Sequence, residues 1–114
     1  MNKRITFRSM AHSDLIQDHA NKQLAKIEEF LLNEPTPIYI DLVLEPSKVH
    51  AHNKVELRVK SPHYELYSTH EGPDFYATLD HVIDVMYRDL HEEKQKEVDM
   101  RKQRGRHEDF KKQR

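Results

Sequence analysis

The sequence predicts an α+β fold: a two-layer sandwich in the order β-α-β-β-β-α, with a four-stranded sheet and two helices on one face. Three observations carry this. Two long stretches, one after Ser13 and one after Gly72, repeat apolar residues at three- and four-residue steps, so each buries a single stripe. Four shorter stretches alternate apolar with polar residues, as strands with one dry face do. At 114 residues the chain supports one modest core, and its 36% apolar share suffices only if nearly every apolar residue points inward.

The elements follow in order. Ile5 and Phe7 alternate with Arg4, Thr6 and Arg8, which gives a short first strand. Ser13-Asp14 supplies an N-cap and an acidic first turn for a helix whose inward stripe is Ile16, Ala20, Leu24, Ile27 and Leu31. That helix ends before Pro35, because the residue ahead of a proline avoids helical geometry. Ile38, Ile40, Leu42 and Leu44 place the dry face of the second strand on its even positions, and a turn around Pro46-Ser47-Lys48 leads on. Val55, Leu57 and Val59 form the third strand, and Tyr64, Leu66 and Ser68 resume the alternation after Ser61-Pro62. A loop at Ser61-Pro62 sets Arg58 opposite Glu65 and Leu57 opposite Leu66. The last helix buries Phe75, Leu79, Val82, Ile83, Met86 and Leu90; Gly72 and Pro73 suit its N-cap and first position, with Asp74 at the positive end of the dipole.

Beyond Leu90 the inward wheel positions become Glu93, Lys94 and Glu97, so the helix is expected to project past the core. Residues 1–96 read as one domain and 97–114 as a basic, mobile C-terminal tail. The net charge of −1 hides this division. From Arg101 onward seven lysines and arginines face two acids, a net of +5, which leaves the first hundred residues at −6. An acidic body with a basic tail suits an anionic partner.

Several classes are disfavoured. Without cysteine there is no disulfide framework and no thiolate zinc site, and the composition fits a reducing, cytoplasmic setting. No apolar run approaches the roughly 20 residues that span a bilayer, so no membrane partner is expected. His50 and His52 share a strand face with His63 on the neighbouring strand, yet no carboxylate completes a set, so no metal is assigned. His81 and His91 fall on the outer side of the last helix and read as exposed. With only Gly72 and Gly105, and no G-x-S-x-G or H-E-x-x-H, the chain offers no phosphate loop, nucleophile elbow or zincin motif, and the reading is not an enzyme. Asp74 is a helix-start residue rather than an acid catalyst, and Phe75 and Tyr76 pack rather than stack on bases.

Asn2 to Thr6, Met10, Leu24-Ala25-Lys26-Ile27-Glu28, Glu71-Gly72, Asp74-Phe75-Tyr76-Ala77, Asp80, Ile83-Asp84, Arg88, Leu90 and Lys94 together resemble the ribosome hibernation-promoting factors. These ribosome-associated translation inhibitors are also called sigma-54 modulation proteins. The likeness runs from about residue 2 to 96 with the same element order, and without the dimerisation domain of the long forms the chain resembles a short form. It implies a fold similar to double-stranded-RNA-binding domains, in a protein that occupies the messenger- and transfer-RNA sites of the small subunit and stabilises inactive ribosomes. The implied partners are the small ribosomal subunit and the 70S ribosome through ribosomal RNA, with no cofactor, no small-molecule substrate, and a monomer off the ribosome. RNA contacts are expected at Arg8, Lys22, Lys26, Arg88, Lys94, Lys96, Arg101, Lys102 and Arg104, where cations displace counterions from phosphates. Family members tend to carry lysine or arginine where this chain has Gln17, Gln23, Val85 and Glu92, so its helix-borne basic patch is thinner. The competing readings are a general double-stranded-RNA reader and a protein-interaction module using the sheet face of Lys54, Glu56, Arg58, Tyr67 and Thr69.

Overall fold

The structure, a computed structural model, describes residues 1–48 and 51–112, with the side chains of the last helix as far as Gln103. Six elements follow the expected order: β1 (Asn2–Phe7), α1 (Asp14–Leu31), β2 (Tyr39–Pro46), β3 (Asn53–Lys60), β4 (Glu65–Gly72) and α2 (Phe75–Lys112). They form one sheet in the order β1-β2-β3-β4. The pair β1 and β2 is parallel because α1 crosses between them, while the two later pairs are antiparallel and closed by loops.

Both helices cover the same face. Ile38, Ile40, Leu42 and Leu44 are buried as the alternation requires, and Val55, Leu57 and Val59 meet them from β3. Ala20, Leu24, Ile27 and Leu31 from α1 and Leu79, Val82, Ile83, Met86 and Leu90 from α2 close the core with no exposed surface. The Ser13 hydroxyl accepts from the Ile16 N–H at 3.3 Å and caps α1. Ser13→Ala is expected to cost about 1 kcal/mol, read from the urea midpoint; no shift would mean that the cap contributes nothing.

Two local expectations are corrected. The β3–β4 pairing is shifted by two residues, with Val59 opposite Leu66, Arg58 opposite Tyr67 and Lys60 opposite Glu65. Four residues, Ser61 to Tyr64, make the loop; the Ser61 N–H donates to the Tyr64 carbonyl at 2.7 Å and the Tyr64 ring turns into the core. A shift of two keeps every side chain on its own face, which is why the core is unchanged.

The second correction concerns the start of α2, which is capped by Asp74 and not by Gly72. Asp74 Oδ1 accepts from the Tyr76 N–H at 3.0 Å, and its carbonyl accepts from the Thr78 N–H and hydroxyl. Gly72 instead ends β4, paired with Asn53, and a Cβ on it would meet Thr78 Oγ1 at 2.5 Å. As expected, α2 projects beyond the core. Its backbone is helical for 38 residues, through Gly105 to Lys112, a rod of about 57 Å.

Tyr64 is buried, and its hydroxyl makes no hydrogen bond of good geometry among the described residues, although the Glu34 carboxylate lies near enough to act on it. Burial first, and then the negative charge of Glu34 and Glu97, push its phenol up to about 12. A raised phenol stabilises the fold only while it is neutral. That contribution is full below the ordinary value of about 10 and disappears as pH rises through 12. Tyr64→Phe, which removes an unpaired buried hydroxyl, is expected to leave stability at pH 7 unchanged or higher and to blunt alkaline unfolding between pH 10 and 12. A loss of stability at pH 7 would show that the hydroxyl is bonded.

Candidate nucleic-acid interface

The two helices lie side by side and parallel, and their seam is polar and aromatic where it leaves the core. His19 Nε2 meets Asp80 Oδ1 at 2.7 Å, and the edge of Tyr76 packs on the His19 ring with centroids 5.1 Å apart. Lys26 bonds Asp84 and lies 5.3 Å from the centre of the Tyr87 ring. Further along, Phe30 meets Tyr87 and His91, while Lys94 sits 5.3 Å from the centre of the Phe30 ring. Contacts climb both helices in the same direction, which fixes their relative orientation.

The expected RNA-contacting residues fall into three groups. Lys22, Lys26, Arg88, Lys94 and Lys96 lie on the helix layer, and Arg101 and Lys102 follow on the same helix. Lys22 and Lys102 are exposed and make no ion pair among the described residues. Arg8 stands apart, on the open face of the sheet, where it approaches Glu45 at 3.8 Å and shares a depression with Asp41, Val43, Glu56, Arg58 and Tyr67. The Arg104 side chain and those of His107 and Lys111 lie outside the described residues, as does His50.

Carboxylates hold most of the remaining cations. Arg88 approaches Asp89 at 3.8 Å and Glu92 at 4.0 Å, Lys96 bonds Glu93 at 3.2 Å, and Arg101 bonds Glu97 at 3.1 Å. Asp84, four residues before Arg88, is taken by Lys26 across the seam instead. Such exposed pairs are worth at most about 1 kcal/mol and open readily to a stronger anion. Asp84→Asn is expected to leave the melting curve almost unchanged and to raise RNA affinity by freeing Lys26; equal affinity would place Lys26 outside the contact.

The helix surface does not carry one sign. On α1 two lysines face four carboxylates, and from Phe75 to Glu93 one arginine faces five. From Lys94 to Lys112 the balance reverses, with eight cations against four acids. Positive charge thus gathers toward the far end of α2, where it also opposes the negative end of the helix dipole. The basic patch on the helices near the core is thin, as the neutral or acidic residues at Gln17, Gln23, Val85 and Glu92 lead one to expect.

On the opposite side of the sheet the charges cancel. Arg4 donates two bonds to Asp41, at 3.4 and 3.0 Å, and Lys54 bonds Glu56 at 3.0 Å; both cations are held more firmly protonated by these partners. Arg58 lies 5.5 Å from the centre of the Tyr67 ring. His63 bonds Glu34 at 3.1 Å, and no cluster of three metal-binding side chains occurs among the described residues. No helix among them is long and apolar enough to cross a membrane.

With this geometry in view, residues 4–98 match the family described as sigma 54 modulation protein / S30EA ribosomal protein. The chain belongs to that family. Membership supports a ribosome-associated role, and the match runs from within β1 to eight residues past Leu90, the last core residue of α2. Among solved structures, the N-terminal domain of Protein Y from Thermus thermophilus is similar, with a TM-score of 0.64 and 23% identity over 79% of this chain and 96% of that one. A ribosomal subunit interface protein from Coxiella burnetii aligns with a TM-score of 0.66 and 20% identity, covering 82% and 98%. At these identities the likeness is one of fold. No curated protein matches the sequence.

His19, Phe30 and Tyr87 were not singled out in the sequence, because a single apolar stripe per helix leaves them on its flank. A second stripe does exist beside it, at His19, Lys26 and Phe30 on α1 and at Asp80, Asp84, Tyr87, His91 and Lys94 on α2. Its three-, four- and seven-residue steps were available in the sequence.

Proposed function

We propose that this chain is a translation inhibitor that binds the small ribosomal subunit across its messenger- and transfer-RNA sites and keeps idle ribosomes inactive. The observation that carries the reading is the family match over residues 4–98, which takes in nearly all of the sheet and both core-covering helices. Action is by occupancy and needs no reactive group. Lys22, Lys26, Arg88, Lys94, Lys96, Arg101 and Lys102 supply phosphate contacts, weaker near the core, where carboxylates compete, and stronger along the far part of α2.

The test is cell-free translation with purified components. Added protein is expected to suppress initiation, and ribosomes already carrying messenger and initiator transfer RNA are expected to resist it. Full translation at a large excess of protein would refute inhibition. Relief by a generic RNA duplex of about 16 base pairs would instead mark a general double-stranded-RNA reader.

A further inference from the structure

Where α1 and α2 leave the core, three rings gather between two lysines. His91 is exposed, and its ring stands 4.7 Å from that of Phe30 and 4.5 Å from that of Tyr87, at interplanar angles of 63° and 72°. Phe30 and Tyr87, themselves 6.5 Å apart, are half-buried and form its footing. Lys26 lies 5.3 Å from the centre of the Tyr87 ring on one side and Lys94 5.3 Å from that of Phe30 on the other. Lys94 has no carboxylate partner among the described residues, although Glu93 and Glu97 are close in sequence.

An exposed imidazole pinned by two ring contacts has little rotamer freedom left to lose on binding, and cations on both flanks suit an anion on either side of a flat ring. Unpaired nucleotides combine these features: a π-face of any base identity, with a phosphate before and after it. A protein surface could also offer carboxylates to the two lysines, as Asp84 already does to Lys26, but a flat π-face with an anion on each side of it is the repeating feature of a nucleotide chain. From this juxtaposition we propose that His91, backed by Phe30 and Tyr87, stacks on one unpaired base of RNA, while Lys26 and Lys94 take the phosphates that flank it. The inference rests on the ribosome-binding reading for its target but makes a separate claim, that this protein reads a single-stranded nucleotide and not only backbone charge.

Two readouts separate the claims. The first is quenching of a single-stranded oligoribonucleotide carrying one 2-aminopurine; the second is pelleting with purified small subunits. Stacking is expected to quench the probe, with His91→Phe retaining the effect, because any ring stacks, and with His91→Leu losing roughly 10-fold in affinity. Lys94→Gln is expected to lower the salt slope by about one without abolishing the quench. Quenching without pelleting would keep the stacking site and remove the ribosomal target. Pelleting with no quench, or with His91→Leu equal to the unaltered protein in both assays, would overturn the stacking site and leave ribosome binding standing.

Discussion

Gly72→Ala is expected to destabilise the protein by about 1–3 kcal/mol, a large effect for a one-carbon change. Gly72 is buried at the end of β4, and an added Cβ would meet Thr78 Oγ1 at 2.5 Å. The hydroxyl cannot swing away freely, because threonine is stiff at χ1 in a helix and this one donates to the Asp74 carbonyl at 2.7 Å in the first turn of α2. The clash therefore falls on the junction that positions the whole of α2 over the sheet. Urea unfolding of Gly72→Ala, Thr78→Ala and the double variant measures it. The double variant is expected to be more stable than the sum of the two single losses, and strict additivity would show that the two side chains do not compete for space.

Truncation after Met100 is the second large effect, and it acts on binding rather than folding. It removes seven lysines and arginines and two acids, all beyond residue 98, where the family match ends. If three of those cations meet phosphates, the slope of log affinity against log salt falls by about 2–3. Roughly 30-fold of the affinity change between 50 and 200 mM salt then disappears. The melting temperature is expected to stay nearly constant, since the core ends at Leu90. An unchanged slope would rule out the distal part of α2 as a contact.

The sequence made the layers legible because burial on one side imposes periods that survive any local error. Ile40, Leu42 and Leu44 of β2 and most of the apolar stripes of α1 and α2 are in the core, with Ile16 and Phe75 half-buried against it, as the alternation and the three- and four-residue steps required. What failed was decided by single long-range contacts. The loop length between β3 and β4 depends on Tyr64 turning inward, and the role of Gly72 depends on Thr78, which no local pattern reveals. Partner choice among charges was equally illegible. An intrahelical Asp84–Arg88 pair is worth only a few tenths of a kcal/mol, so the lysine arriving from α1 displaces it. The place of Arg8 on the open face, away from the helix-borne cations, by contrast follows from its alternation with Ile5 and Phe7.

Sedimentation of the purified protein through gradients with separated subunits and whole ribosomes, repeated at rising salt, tests the central claim most directly. The protein is expected to travel with the small subunit and with whole ribosomes at low salt, and to be released progressively as salt rises. Protein that stays at the top of the gradient with every ribosomal species at low salt would contradict the account.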